Sequence, residues 1–197
     1  MKAEDSIRRY RNAMEKELKP DRFEHSLGVA YTSAALAMRY DADVARALTA
    51  GMLHDCAKCL DHEEQLRICR KNNLPVTEFE LRNKKLLHAK VGAFLAEHSY
   101  DITDAEILSA ITWHTTGHPG MTKLEKIVFL ADIIEPNRKM FPEMTEIRKA
   151  IFEDLDGGLC LTLKYLLEYL KRDGEEIDPM TEDTWRYYTA QNGGNHG

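Results

Sequence analysis

Leu53-His54-Asp55-Cys56-Ala57-Lys58 ends a short apolar helical stretch, Val44 to Leu53, on a histidine, an aspartate and a lysine. Successive side chains within a helix point about 100° apart. At a helix end, however, His54 and Asp55 can converge on one ion, or Asp55 can bridge two. A neutral imidazole nitrogen and a carboxylate oxygen together suit zinc, iron, manganese or cobalt. Lys58 follows His54 by one turn, where a cation could face an anionic ligand. His-Asp pairs also arise often by chance, so this reading depends on further ligands at compatible places.

The bulk properties narrow the setting. A chain of 197 residues can bury a sizeable core, and one domain is expected over 1–197, with a metal-site core at about 21–140 and C-terminal helices at 144–191. The net charge of -6 argues against nucleic-acid binding, which needs a basic surface to displace counterions from phosphates. A small anionic substrate stays open, because a bound metal can invert the local field. No apolar run approaches the ~20 residues of a membrane span. The polar start, Met1-Lys2-Ala3-Glu4-Asp5, lacks a signal-peptide core, so no membrane association and a cytoplasmic location are expected. Cys56 and Cys59 form a C-x-x-C without a second such pair, and reduced cysteines beside the His-Asp site are the expectation over a redox or structural-zinc role.

Outward from the opening stretch, the pattern is helical almost throughout, and the expected fold class is all-α. Ala3 to Leu18 reads as an amphipathic helix stopped at Pro20. Asp21, with Glu24, is expected to cap a helix to about Tyr40 whose buried face carries Phe23, Leu27, Tyr31, Ala34 and Met38. His25 lies in its first turn and faces inward; a satisfied core histidine is the bland alternative. Asp41 or Asp43 starts the helix that delivers His54 and Asp55. Asp61 to Asn72, Thr77 to about Lys85, and His88 to Glu97 follow as helices. Ala105 to Trp113 runs into His114-Thr115-Thr116-Gly117-His118-Pro119-Gly120, a loop whose hydroxyls, histidines and glycines suit anion or metal contact. Thr122 and Glu125 form a capping box for Lys123 to Ile134, and Asp132 sits at the edge of that helix's apolar face. A carboxylate there is costly unless hydrogen-bonded or bound to metal. Thr145 to Glu153 and Leu159 to Arg172 follow, separated by Gly157-Gly158, and Thr181 is expected to cap the last helix. Leu159, Leu163, Leu166 and Leu170 could serve a homodimer or the core equally well.

Five segments thus each offer a ligand-type side chain: His25, His54-Asp55, His88, His114 and Asp132. Helical proteins build metal sites in this way, from several packed helices. Four nitrogens and two carboxylates suffice for two ions if one carboxylate bridges. His62, His98 and His196 fall outside the pattern and read as solvated.

The order H…HD…H…H…D resembles that of the HD-domain metal-dependent phosphohydrolases, and more closely their YqeK branch. The resemblance rests on His54-Asp55-Cys56-Ala57-Lys58, on Trp113-His114-Thr115-Thr116-Gly117, and on Leu124-Glu125-Lys126 through Leu130-Ala131-Asp132-Ile133-Ile134-Glu135-Pro136-Asn137-Arg138. It implies an HD-domain helical bundle and an iron-containing site, with manganese or cobalt as alternatives, in one or two ions. The implied reaction is symmetrical hydrolysis of diadenosine tetraphosphate to two ADP through a metal-bound hydroxide. It also implies that His25, His54, Asp55 and Asp132 hold a first metal and that Asp55, His88 and His114 hold a second. Under it, Asp55 and Lys58 act in catalysis, and Lys58, Thr115, His118 and Arg138 contact the nucleotide. From its position His118 is expected to protonate the leaving group, with a surface histidine as the alternative. Relatives of this branch often carry His-Pro where this chain has Asp178-Pro179. The rival readings are a nucleotidase, or a nucleoside-triphosphate or guanosine-alarmone phosphohydrolase, of the same fold, and a non-catalytic nucleotide-binding module. The intact set of six ligands speaks against the last.

Overall fold

The computed structural model describes residues 3–193, so His196 lies outside the described residues. Among them there are eleven α-helices, one 3-10 turn and no strand. The helices are α1 (Ala3–Glu17), α2 (Pro20–Arg39), α3 (Val44–Leu53), α4 (His62–Lys71), α5 (Glu78–Arg82) and α6 (Leu87–Tyr100), then α7 (Ala105–Trp113), α8 (Lys123–Ile134), α9 (Met144–Glu153), α10 (Leu155–Arg172) and α11 (Pro179–Gly193). The 3-10 turn, Cys56–Cys59, follows α3 directly. The all-α reading therefore holds.

Local chemistry sets most boundaries. Asp43, Asp61, Thr77, Asp104 and Thr122 each accept a backbone N–H in the first turn of the helix they precede, which satisfies a donor the helix cannot. Thr122 and Glu125 close the expected capping box, and Thr77 with Glu80 closes another. Three starts differ from expectation. α2 begins at Pro20, with Lys19 as its cap and no side-chain cap bond, because proline is pre-set for the first helical position; Asp21 lies inside the first turn. α10 begins at Leu155 because Asp154 accepts the N–H groups of Asp156 and Gly157, so the glycine pair lies within the helix. α11 begins at Pro179, and the Asp178 side chain accepts the Met180 N–H; Thr181 is buried inside the helix.

A large apolar cluster runs from Met14 of α1 through Leu36, Leu53, Ile111, Ile127 and Leu130 to Leu159 and Leu163 of α10. Each such side chain contributes about 1.5–3 kcal/mol by leaving water. Leu159 and Leu163 are thus used up in the core. The face of α2 also differs from expectation: Tyr31 is 62% and Met38 66% exposed. Phe23 and Ala34 of the expected face are buried, and they are joined by Val29, Ala30, Ser33 and Ala37, where α3 packs close. A Cβ on Gly51 of α3 would lie 2.8 Å from the Ala30 Cα, so the contact needs small residues on both helices. That close crossing brings the N-terminal turn of α2 to the C-terminal end of α3. A smaller cluster, Ala57, Leu66, Cys69, Leu87 and Val91, ties the 3-10 turn to α4 and α6. Among the described residues no helix is long and apolar enough to cross a membrane.

Candidate metal centre

All six expected ligands meet in one place. His25, His54, Asp55, His88 and His114 are buried, and Asp132 is nearly so. The backbone prepares two imidazoles in the same way. His54 and His114 cap the C-terminal ends of α3 and α7, and each donates Nδ1–H to the carbonyl three residues back, Gly51 and Ile111, at 2.7 Å. Both tautomers are thereby set, and Nε2 keeps its lone pair for a ligand. His25 is fixed by a side chain: its Nδ1 lies 3.0 Å from Oε1 of Glu135, whose Oε2 accepts the Asn137 N–H at 2.6 Å. Glu135 is itself buried. His88 Nδ1 is buried with no hydrogen-bond partner.

The donors fall into two sets that share Asp55. Its Oδ2 lies 3.4 Å from His54 Nε2 and 3.8 Å from His25 Nε2, and Asp132 Oδ1 closes this set at 2.9 Å from His25 Nε2. Its Oδ1 lies 3.1 Å from His88 Nε2 and 3.6 Å from His114 Nε2, which are themselves 3.1 Å apart. Donors about 2.0–2.1 Å from one ion sit about 3.3 Å apart in a tetrahedron and about 3 Å apart in a cis-octahedral pair. The observed spacings fit coordination in both sets, and no thiolate is among the donors. The sets also touch through His54 and His114, whose ring centroids are 4.9 Å apart.

Three cations rim this cluster. Arg22 donates to Asp55 Oδ2 at 2.8 Å. Arg138 donates Nε–H to the Asp132 carbonyl at 2.7 Å and a second bond to its carboxylate. Part of Lys58 reaches solvent, while its ammonium is crowded by protein and its charge feels Asp55, Arg22, Asp132 and Arg138. Desolvation pushes the Lys58 ammonium below its ordinary pKa; Asp55 pulls it back up and Arg22 pulls it down. Burial alone would raise the pKa of both carboxyls. For Asp55 that effect is outweighed by His54, and for Asp132 by the His25 hydrogen bond and Arg138; both stay well below the usual carboxylate range. Burial opposes a proton on His54, but Asp55 and Asp132 outweigh it and hold its pKa above the ordinary value. Desolvation lowers His88 to about 4, so its imidazole is neutral near pH 7.

The remaining expected contacts divide. Thr115 lies beside His114, half-buried at the edge of a cavity. His118 is not brought to the cluster. Its Nε2 faces Glu125 Oε1 at 3.1 Å and its ring packs on Trp113. Glu125 precedes Asp132 by two helical turns, about 10 Å along the axis. Cys56 and Cys59 donate to the carbonyls of Gly92 and Cys56, form no disulfide, and have thiols pushed up by burial, so neither suits a metal as thiolate. His62 is half-buried, and His98 is exposed and stacks on Phe94.

Two site residues escaped the sequence reading. Arg22 lies one turn before His25 on the same helical face, a spacing that makes neighbours. Glu135 sits at the C-terminal end of α8, where the helix dipole disfavours a carboxylate; that unfavourable placement was the available signal. Gly28 belongs with it, since a Cβ there would overlap the Glu135 carboxylate.

Known proteins resemble this chain over most of its length. The HD domain matches residues 22–137. The symmetrical bis(5'-nucleosyl)-tetraphosphatase of Bacillus subtilis (strain 168) is 37% identical over 177 residues, covering 90% of this chain and 94% of the relative. Its namesake from Staphylococcus aureus is 35% identical over 185 residues, covering 93% of this chain and 94% of the relative. A crystal structure of an HD superfamily hydrolase from Clostridium acetobutylicum, described as involved in NAD metabolism, superposes with a TM-score of 0.89 at 36% identity. That match covers 97% of this chain and 99% of the other.

Proposed function

The chain belongs to the HD-domain family, and on that premise we propose that it is a metal-dependent phosphohydrolase that cleaves diadenosine tetraphosphate at its central bridge, giving two ADP. The observation that carries this reading is the division of Asp55 between two donor sets beneath a rim of three cations. His25, His54, Asp55 and Asp132 would hold one divalent ion, and Asp55, His88 and His114 a second, with iron our first choice and manganese or cobalt the alternatives. When bound, such ions supply Lewis acidity toward phosphoryl oxygens and lower the pKa of an attacking water.

The chain's own groups do the rest. The histidine tautomers held by Gly51, Ile111 and Glu135 keep the donors aimed without reorganisation. Arg22 and Arg138 border the metal-facing carboxylates, and the N–H groups they do not give to Asp55 and Asp132 can donate to phosphate oxygens. Lys58 adds a third positive charge at the mouth, which offsets the repulsion between a polyanionic substrate and a chain of net charge -6. Thr115 offers a hydroxyl to a phosphate next to His114. We assign His118 to holding the His114–Gly120 loop against Glu125, in place of leaving-group protonation. The whole chain acts as one unit in this account, on free nucleotide in the cytoplasm.

Product analysis tests the reading. With diadenosine tetraphosphate and ferrous iron, manganese or cobalt, the expected outcome is ADP as the sole nucleotide product. AMP with ATP would place the cut off centre. Inertness toward the dinucleotide, with phosphate released from a nucleoside triphosphate or a guanosine tetraphosphate, would assign the site to the other substrates of this fold.

A further inference from the structure

A buried amide outside the metal centre grips the turn that carries Lys58. The 3-10 turn Cys56–Cys59 follows Asp55 directly, and its residues Lys58 and Cys59 lie on the outside. Lys58 donates its N–H to the Asp55 carbonyl at 2.9 Å, and Leu60 donates to the Ala57 carbonyl at 3.1 Å. Gln65, in the first half of α4, is buried. Its Nε2 donates to the Ala57 carbonyl at 3.2 Å and to the Leu60 carbonyl at 3.0 Å. Both partners are acceptors, so only the NH2 end of the amide can face them, and its orientation is settled. These two carbonyls flank Lys58 in the chain. The Oε1 of Gln65 is buried with no hydrogen-bond partner among the described residues. Burying an amide with one end unpaired is costly, and an apolar side chain of similar length would avoid that cost. What the amide offers in return is its nitrogen.

Lys58 needs such a support. Among the described residues its ammonium feels nearby charges, but no side-chain hydrogen bond ties it down. A flexible four-carbon stem without a partner is aimed only by the backbone it grows from. We propose that Gln65 is a positioning residue for phosphate binding: by holding the carbonyls on both sides of Lys58, it fixes the point from which the ammonium reaches the substrate. The inference rests on the phosphohydrolase reading above, in which Lys58 meets a polyphosphate. It divides the work between elements. The ends of α3 and α7 and the Glu135 carboxylate aim the metal-facing histidines, whereas α4 places a cation that touches phosphate and no ion.

Calorimetric titration of the metal-loaded protein with inorganic pyrophosphate, run as a double-mutant cycle with Lys58→Ala, tests this. Gln65→Met keeps the length and volume and removes both donated bonds. Gln65→Glu keeps the shape and sets a carboxylate, which cannot donate, against the two carbonyls. Each is expected to weaken pyrophosphate about fivefold, the scale of one or two lost hydrogen bonds, and Lys58→Ala at least as much. In the Lys58→Ala background neither Gln65 substitution should cost more than about twofold, because the cation it places is gone. Metal affinity in Gln65→Met should stay within about twofold of the parent, with helical circular dichroism unchanged. A Gln65 effect that persists in full without Lys58 would overturn the proposal, as would unchanged pyrophosphate affinity in both Gln65 variants. An equal loss of metal affinity would overturn it too, by placing the effect on the metal donors, and so would failure of both variants to fold. Dinucleotide cleavage on the same samples separates the two claims. Coupled pyrophosphate losses without any cleavage keep the positioning role and remove the hydrolase. Cleavage with no coupling between Gln65 and Lys58 does the reverse.

Discussion

Asp55→Ala will lower turnover of diadenosine tetraphosphate by at least about 10³-fold and leave the protein unable to retain a full metal complement. The argument is geometric. One carboxylate serves both donor sets, Oδ2 toward His25 and His54 and Oδ1 toward His88 and His114, so its loss removes a ligand from each. The guanidinium of Arg22 loses its partner at the same time. The fold should survive, because the 3-10 turn that Asp55 precedes has no side-chain cap bond to lose and is tied down by the apolar contacts of Ala57. Asp55→Asn keeps the shape but removes the charge, and it should fall nearly as far. Steady-state rates, metal content per chain and helical circular dichroism together check this. An active Asp55→Ala protein with normal circular dichroism would sink the shared-ligand account.

The second large effect lies away from the reacting atoms. Glu135→Ala should weaken metal binding 10- to 100-fold, the usual range when the partner that orients a ligand histidine is lost. Glu135 meets His25 Nδ1 and fixes which nitrogen faces Asp132, so its removal frees the ring to turn and to change tautomer. Glu135→Gln retains an acceptor and should lose less. Gly28→Ala should resemble Glu135→Ala although it touches no ligand, since the added methyl occupies the space of the Glu135 carboxylate. Metal titrations of the three variants check this ordering. Unchanged affinity in both Glu135→Ala and Gly28→Ala would show that His25 is positioned by other means.

Much of this was legible in the residues. The helices were visible from capping aspartates and threonines, and the six ligands from their places at helix ends. What stayed hidden depends on approach between segments. Gly51 over Ala30 rotates the buried face of α2 away from the large residues Tyr31 and Met38, and periodicity favours large side chains over small ones. The contact between His25 and Glu135 spans 110 residues, and that between Arg22 and Asp55 spans 33, so neither leaves a local pattern. His118 lies in the same loop as His114, yet Glu125 and Trp113 turn it elsewhere; proximity in sequence does not fix where a loop side chain points. The cavity by His114 joins α5, α6, α7 and α11, four elements that only the fold brings together.

The most direct test strips the purified protein with a chelator, then titrates it with ferrous iron, manganese or cobalt under reducing, anaerobic conditions, measuring bound metal and ADP release on the same samples. The expected result is no ADP from stripped protein and activity that returns with added metal, levelling off near two ions per chain. Full ADP release from protein shown to be free of metal would contradict the account.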